Sequence, residues 1–227
     1  MSQGRGWLLA LDTSTATIVV AAGSVDGELI ASEAFEGRYR HSQELLPATI
    51  RLIEQAGLEM EDLAGVVVGT GPGAFTGLRV GIATAKTLAH ELDRPLIGIA
   101  SSTALLAAVD GAAVLWLPAG PRDRVMVRAG AEPVVMPSSD AADGSTDPGG
   151  DLEVAVDLDG RAPDASLEQG RLAVAGLAAA LLRLGAARLA AGESDDPERL
   201  VPGYASPPRG ALAGASEGGV AWSRDPR

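Results

Sequence analysis

An α/β protein with a mixed sheet is the architecture this chain predicts, and three observations predict it. Three strand-like stretches follow one another, with a hairpin signal between the second and third. The apolar period then switches to helical spacing. An uninterrupted apolar run between two helical stretches next reads as a buried parallel strand.

The elements follow in order. Residues 7–11 are apolar and run into Asp12-Thr13-Ser14-Thr15, a strand entering a polar turn. Residues 17–23 form a second β-branched run, Asp26-Gly27 signals a tight turn, and residues 28–35 alternate as a third strand. Over 41–55, Leu45, Leu46, Thr49, Ile50, Leu52 and Ile53 recur at helical spacing, with Ser42 placed as a cap. Residues 65–69 make the buried strand. The Gly-rich loop 70–77 follows, and Leu78, Ile82, Ala85, Leu88 and Leu92 set the period of a second helix. Residues 95–99 predict another strand and 101–109 a short helix capped by Ser101 or Ser102.

The order β-β-β-α-β-α-β-α is that of an RNase H-like half-module, the unit of the superfamily that contains actin and the sugar kinases. Residues 1–110 are therefore expected to form a complete N-terminal module, and 111–205 a smaller, degenerate one. In the second half, 113–117 and 124–128 read as strands around Gly120-Pro121-Arg122-Asp123, and 153–156 as a further strand. Residues 137–150 are rich in Ser, Asp, Gly and Pro and are expected to be a flexible insertion. Residues 167–191 are Ala- and Leu-rich with interrupting glycines, which predicts one broken helix or two short ones over a sheet. A disordered tail is expected over 206–227.

Composition narrows the functions. The 227 residues are 46% hydrophobic, enough for a substantial core, but include only two Phe, two Tyr and three Trp, which leaves few platforms for stacking bases. Net charge is −12, so the long-range field repels a phosphate backbone and disfavours direct binding of nucleic acid. Without cysteine there is no thiolate nucleophile and no Cys metal site. His41 and His90 fall on different helices, which does not assemble a His-based metal site. No apolar run is read as long enough to span a bilayer, and a cytoplasmic location is expected.

Two stretches are placed to carry chemistry. Asp12, Thr13 and Ser14 end the first strand, where kinases of this superfamily keep a magnesium-associated acid; the same residues also make a self-bonded turn. In the Gly-rich loop, Gly71 and Gly73 let a backbone approach a phosphate at a helix start. The spacing matches neither the P-loop nor the dinucleotide fingerprint, and a tight turn with close helix packing accounts for it better. A third feature concerns packing. Gly77, Gly81, Ala85 and Ala89 recur every four residues on the second helix, a smooth ridge suited to a close-approaching helix from this chain or another.

Three segments, Leu9-Ala10-Leu11-Asp12-Thr13-Ser14, His41-Ser42-Gln43-Glu44-Leu45-Leu46-Pro47 and Gly71-Pro72-Gly73-Ala74-Phe75-Thr76-Gly77-Leu78-Arg79-Val80-Gly81, resemble the TsaB (YeaZ) family. The third is the family's hallmark, and the likeness covers 7–109, with Pro202-Gly203-Tyr204 a weaker echo of a C-terminal Pro-x-Tyr motif. The resemblance implies a non-catalytic scaffold in the machinery that makes N6-threonylcarbamoyladenosine on tRNA. Its partners would be a TsaD-like catalytic paralogue, which carries the metal-binding His motif, and a TsaE-like ATPase, with a homodimer when alone. No cofactor is implied for the chain itself, and whether ATP or ADP sits at a subunit junction is left open. The implied interface lies on the two N-terminal-half helices, at His41, Leu45, Thr49, Leu52, Gly77, Gly81, Thr84, Ala85 and Leu88. This sequence departs from the family pattern at Ala74, where Ser is usual, and at Leu117-Pro118-Ala119-Gly120, where an Asp-Ala-Arg turn is usual. The competing possibility is a small-molecule kinase using Asp12 and the Gly-rich loop, for which 111–204 is short as a second nucleotide-binding module. No metal or nucleophile set marks a peptidase.

Overall fold

The structure, a computed structural model, describes residues 6–37, 41–136 and 150–204. Strands β1 (Trp7–Asp12), β2 (Thr17–Ser24), β3 (Leu29–Glu36), β4 (Leu63–Gly69) and β5 (Leu96–Ile99) form one sheet in the order β3-β2-β1-β4-β5. The first three are antiparallel neighbours, while β1-β4 and β4-β5 are parallel, so the sheet is mixed as expected. A second sheet has the order β8-β7-β6-β9, built from β6 (Ala112–Pro118), β7 (Arg124–Arg128), β8 (Val134–Met136) and β9 (Leu152–Ala155).

The side-chain alternation of a strand explains the layering. One face of the first sheet, carrying Leu9, Leu11, Val20, Val66 and Val68, is covered by α1 (His41–Ala56) and α2 (Phe75–Glu91). The opposite face, with Leu8, Ala10, Val19 and Val67, packs on α3 (Ser101–Ala107) and α4 (Asp164–Ala190). The second sheet adds Leu115, Leu117, Val125, Val127 and Val154 to that same cluster. Helices α3 and α4 thus lie between the two sheets, and both faces of β1 and β4 are buried. That is why these strands read as unbroken apolar runs rather than alternating ones.

Four expectations need correction. Helix α4 is continuous over 27 residues, and its glycines mark close approaches instead of breaks. A Cβ on Gly170 would sit 1.8 Å from the Ala155 carbonyl oxygen, and one on Gly185 would sit 2.4 Å from Val67 Cγ2. The helix is also long and apolar enough to cross a membrane by length and composition, contrary to the expectation from the sequence. Helix α3 starts after Ala100 with no side-chain cap, so Ser101 and Ser102 lie inside its first turn. Helix α1 likewise begins at His41, ahead of its expected cap. Beyond these, α2 begins at Phe75, three residues earlier than its period suggested, and β8 was not anticipated. The expected insertion falls at 137–149 and the expected tail at 206–227, both outside the described residues.

After α4 the chain returns along β5. The Asp195 N–H donates to the Leu96 carbonyl (2.7 Å), and Asp195 Oδ2 accepts from the Gly98 N–H (2.7 Å). This satisfies an edge strand that would otherwise offer open backbone groups. Arg188 reaches the same place, donating to the Gly98 carbonyl and to Asp195. The hydrogen bonds that its guanidinium donates to Asp195, then to Glu193, hold it above its ordinary pKa.

Candidate functional site

The carboxyl ends of β1, β4 and β5 meet at one edge of the first sheet, where ligands of open α/β sheets bind. Here the sequence candidates Asp12, Thr13, Ser14, Gly71 and Gly73 do come together, and they are turned inward. Asp12 is fully buried. Its Oδ1 accepts from the Ser14 N–H (2.8 Å) and Ser14 Oγ (2.7 Å), and its Oδ2 accepts from Ser101 Oγ (2.6 Å). Ser101 Oγ in turn accepts from the Gly71 N–H (3.0 Å), which ties the end of β1 to the Gly-rich loop.

The loop closes over the turn by direct backbone approach. The Ala74 N–H donates to the Ser14 carbonyl (2.6 Å), and Thr13 Oγ1 donates to the Gly77 carbonyl (2.7 Å). Glycine is required where the two segments touch: a Cβ on Gly73 would lie 2.1 Å from the Ser14 carbonyl oxygen, and one on Gly81 2.2 Å from Thr13 Oγ1. Gly71 has φ +100, open to glycine at little cost. Thr13 and Ser14 are buried. These contacts make a closed latch, in which the turn's polar groups bond the loop and α3.

Burial raises the Asp12 pKa from its ordinary 3.8, opposed by the hydrogen bonds from Ser101 and Ser14. The folded state thus holds its proton more tightly than the unfolded chain. The latch is most stabilising below the ordinary carboxylate value and loses stability as pH rises through the raised one. Asp12→Asn is expected to lack that pH-dependent loss, seen as a difference between its denaturation curves and the wild type's across this range. Asp12→Ala strands three buried donors and is expected to cost about 2–3 kcal/mol by urea unfolding. A cost under about 0.5 kcal/mol, the range of ordinary surface changes, would refute the latch.

Most of the interface candidates are buried within the chain. Leu45, Thr49, Leu52, Gly77, Gly81 and Ala85 face the chain's own core, packed on the first sheet and on Thr13. Thr84 and Leu88 are half-buried, and the side chain of His41 lies outside the described residues. The small-residue ridge of α2 therefore serves internal packing. What α1 presents outward is Leu46 (45% exposed) and Ile50 (55% exposed), one turn apart on one side of the helix.

Sequence reasoning missed two further groups. Ser101 was taken for a cap and is the partner of Asp12. The segment after α4 brings in Gly203, whose N–H donates to the Thr70 carbonyl (2.7 Å), and Tyr204, which stacks on Phe75 with ring centroids 4.9 Å apart. Arg79 donates to the Tyr204 hydroxyl (3.0 Å) and lies 3.9 Å over the Phe75 ring. The Pro-x-Tyr echo was the available signal for this clamp.

Residues 36–142 match the family model described as TsaD, tRNA N6-adenosine threonylcarbamoyltransferase. The solved structure of YeaZ from Pseudomonas aeruginosa is 28% identical, covering 88% of this chain and 99% of that one at a TM-score of 0.63. The protein named tRNA threonylcarbamoyladenosine biosynthesis protein TsaB is 37% identical in Bacillus subtilis over 44% of this chain and 43% of that one. Its Escherichia coli namesake is 35% identical over 41% and 40%. The matched stretch spans less than half the length of each of these curated relatives. Two mixed sheets with intervening helices, and these likenesses, define an RNase H-like protein of the actin type. Within that class the chain is similar to the TsaB (YeaZ) proteins.

Proposed function

We propose that this chain acts in forming N6-threonylcarbamoyladenosine on tRNA, as a non-catalytic scaffold that holds a TsaD-like catalytic paralogue. The observation that carries the proposal is the closed latch. The acid at the superfamily's catalytic position has both oxygens occupied by Ser14 and Ser101 and no exposure, so it serves the fold instead of a substrate. The exposed Leu46 and Ile50 on α1 supply an apolar contact of the kind partners cover. The same face would hold a second copy when the paralogue is absent, with a TsaE-like ATPase joining the assembly. At a net charge of −12, contact with tRNA falls to the partner.

Asp12→Asn separates this role from a kinase-like one, because it keeps the shape of the latch and removes the carboxylate. Added to the paralogue, the ATPase and tRNA, this variant is expected to support modification within about threefold of wild type, since an essential catalytic acid costs orders of magnitude. A loss of a hundredfold or more, with folding and partner binding intact, would make Asp12 catalytic and refute the scaffold.

A further inference from the structure

The first sheet has two edges, and the chain treats them differently. Along β5 the returning segment closes the edge, through the Asp195 N–H to the Leu96 carbonyl and the Gly98 N–H to Asp195 Oδ2. At the other end of the strand order stands β3, eight residues long and paired on one side only, by β2. Among the described residues no hydrogen bond reaches its outer side, which leaves alternate N–H and C=O groups open as a template for another strand. A register shift leaves Ile30 with no partner residue on β2, and Leu29 and Ile30 are 46% and 48% exposed. Beside that edge, around the end of α1, lie two hollows of about 440 and 530 Å³ that share Ile30. Leu29 and Leu58 line the first, and Leu52 and Ala56 line the second.

Charge selects the occupant. Asp26, Glu28, Glu59 and Asp62 ring the first hollow, all exposed, with no Lys or Arg in the lining and no salt bridge from any of the four to a described residue. The second carries the one cation of the groove, Arg51, held by Glu33 (2.5 Å). Five carboxylates against one guanidinium repel phosphates, and the acids on β3 itself, Glu33 and Glu36, oppose pairing of this edge with a second copy of the chain. An open backbone edge takes an extended peptide, and the acidic ring takes basic side chains on it. We propose that the β3 edge binds a lysine- or arginine-bearing extended segment of a partner protein, added as a sixth strand of the first sheet. Its apolar side chains lie against Leu29 and Ile30, and its cationic ones among Asp26, Glu28, Glu59 and Asp62. Leu46 and Ile50 do not line this groove, so the inference stands whether or not the scaffold role does.

The probe is the capped peptide acetyl-Lys-Val-Arg-Val-Lys-Val-amide, titrated into the full chain at low salt and followed by amide NMR. It is expected to bind saturably at about 100 μM, to shift the amides of β3, and to protect the outward-facing ones from hydrogen exchange. The same peptide with glutamate at every basic position is expected to bind at least about tenfold more weakly. The basic peptide N-methylated at every residue keeps its charge and loses its backbone donors, and is also expected to weaken at least about tenfold. Glu28→Lys/Glu59→Lys changes two exposed side chains, so the unfolding midpoint is expected to hold while the basic peptide weakens about tenfold or more. No saturable binding, equal binding of the acidic or the methylated peptide, or undiminished binding by the folded charge variant overturns the proposal. So does a different occupant: this chain's own residues 1–5, if deleting them tightens the peptide more than about tenfold, or a second copy, if β3 gains protection with protein concentration alone.

Discussion

Gly69→Ala is expected to remove about 3–5 kcal/mol of folding stability, roughly a third of what a domain of this kind holds. Gly69 ends β4 directly beneath the latch. A Cβ there would lie 1.8 Å from Asp12 Oδ2 and 2.6 Å from Ser101 Oγ, separations that no side-chain adjustment accommodates while the pair stays bonded. One added methyl therefore does two things: it overpacks a filled core, and it pushes the carboxylate off the donors of Ser14 and Ser101, which remain buried. Gly57→Ala is the internal control. Gly57 has φ +62 and nothing within 4 Å of the added carbon, so only backbone strain of about 1–2 kcal/mol is at stake. Urea unfolding of both variants at neutral pH decides the matter, and equal costs would mean that the latch does not support the fold.

The parts of this fold that were legible in the sequence are those governed by local periodicity. The strands β1 to β5 and helices α1 to α3 stand within a few residues of where alternation and helical spacing put them, since each buries a face its own residues define. Legibility failed where a residue's role depends on a distant segment. The glycines of α4 have no local signature distinguishing a break from a close approach. Only the positions of the Ala155 carbonyl and the Val67 side chain decide, and both lie outside the helix. Ser101 reads as a cap from its neighbours, and its commitment to Asp12, 89 residues earlier, is visible only in three dimensions.

The same limit governs the interface. Helical spacing shows that α1 is apolar on more than one stripe, but not which stripe the sheet takes. The residues first assigned to a partner, Leu45, Thr49 and Leu52 among them, are the ones the chain keeps for itself. Bulk at Gly81 or Ala85 is accordingly expected to harm folding rather than binding, because Thr13 and the sheet occupy that space.

Exposed apolar side chains one turn apart are worth little to a free monomer and a great deal to a complex that covers them, so charge placed there separates binding from folding. Leu46→Arg/Ile50→Arg is expected to retain the wild-type unfolding midpoint, as surface changes do, because neither side chain belongs to the core. Burying two unpaired guanidinium groups at a contact is expected to weaken association about a hundredfold or more. The direct measurement is the dissociation constant of the purified chain with its TsaD-like paralogue, wild type against this double variant. A tight wild-type complex lost in the folded variant is the result expected of a scaffold that docks through the outer face of α1. Binding by the variant within about threefold of wild type, or no association by the wild type at all, contradicts it.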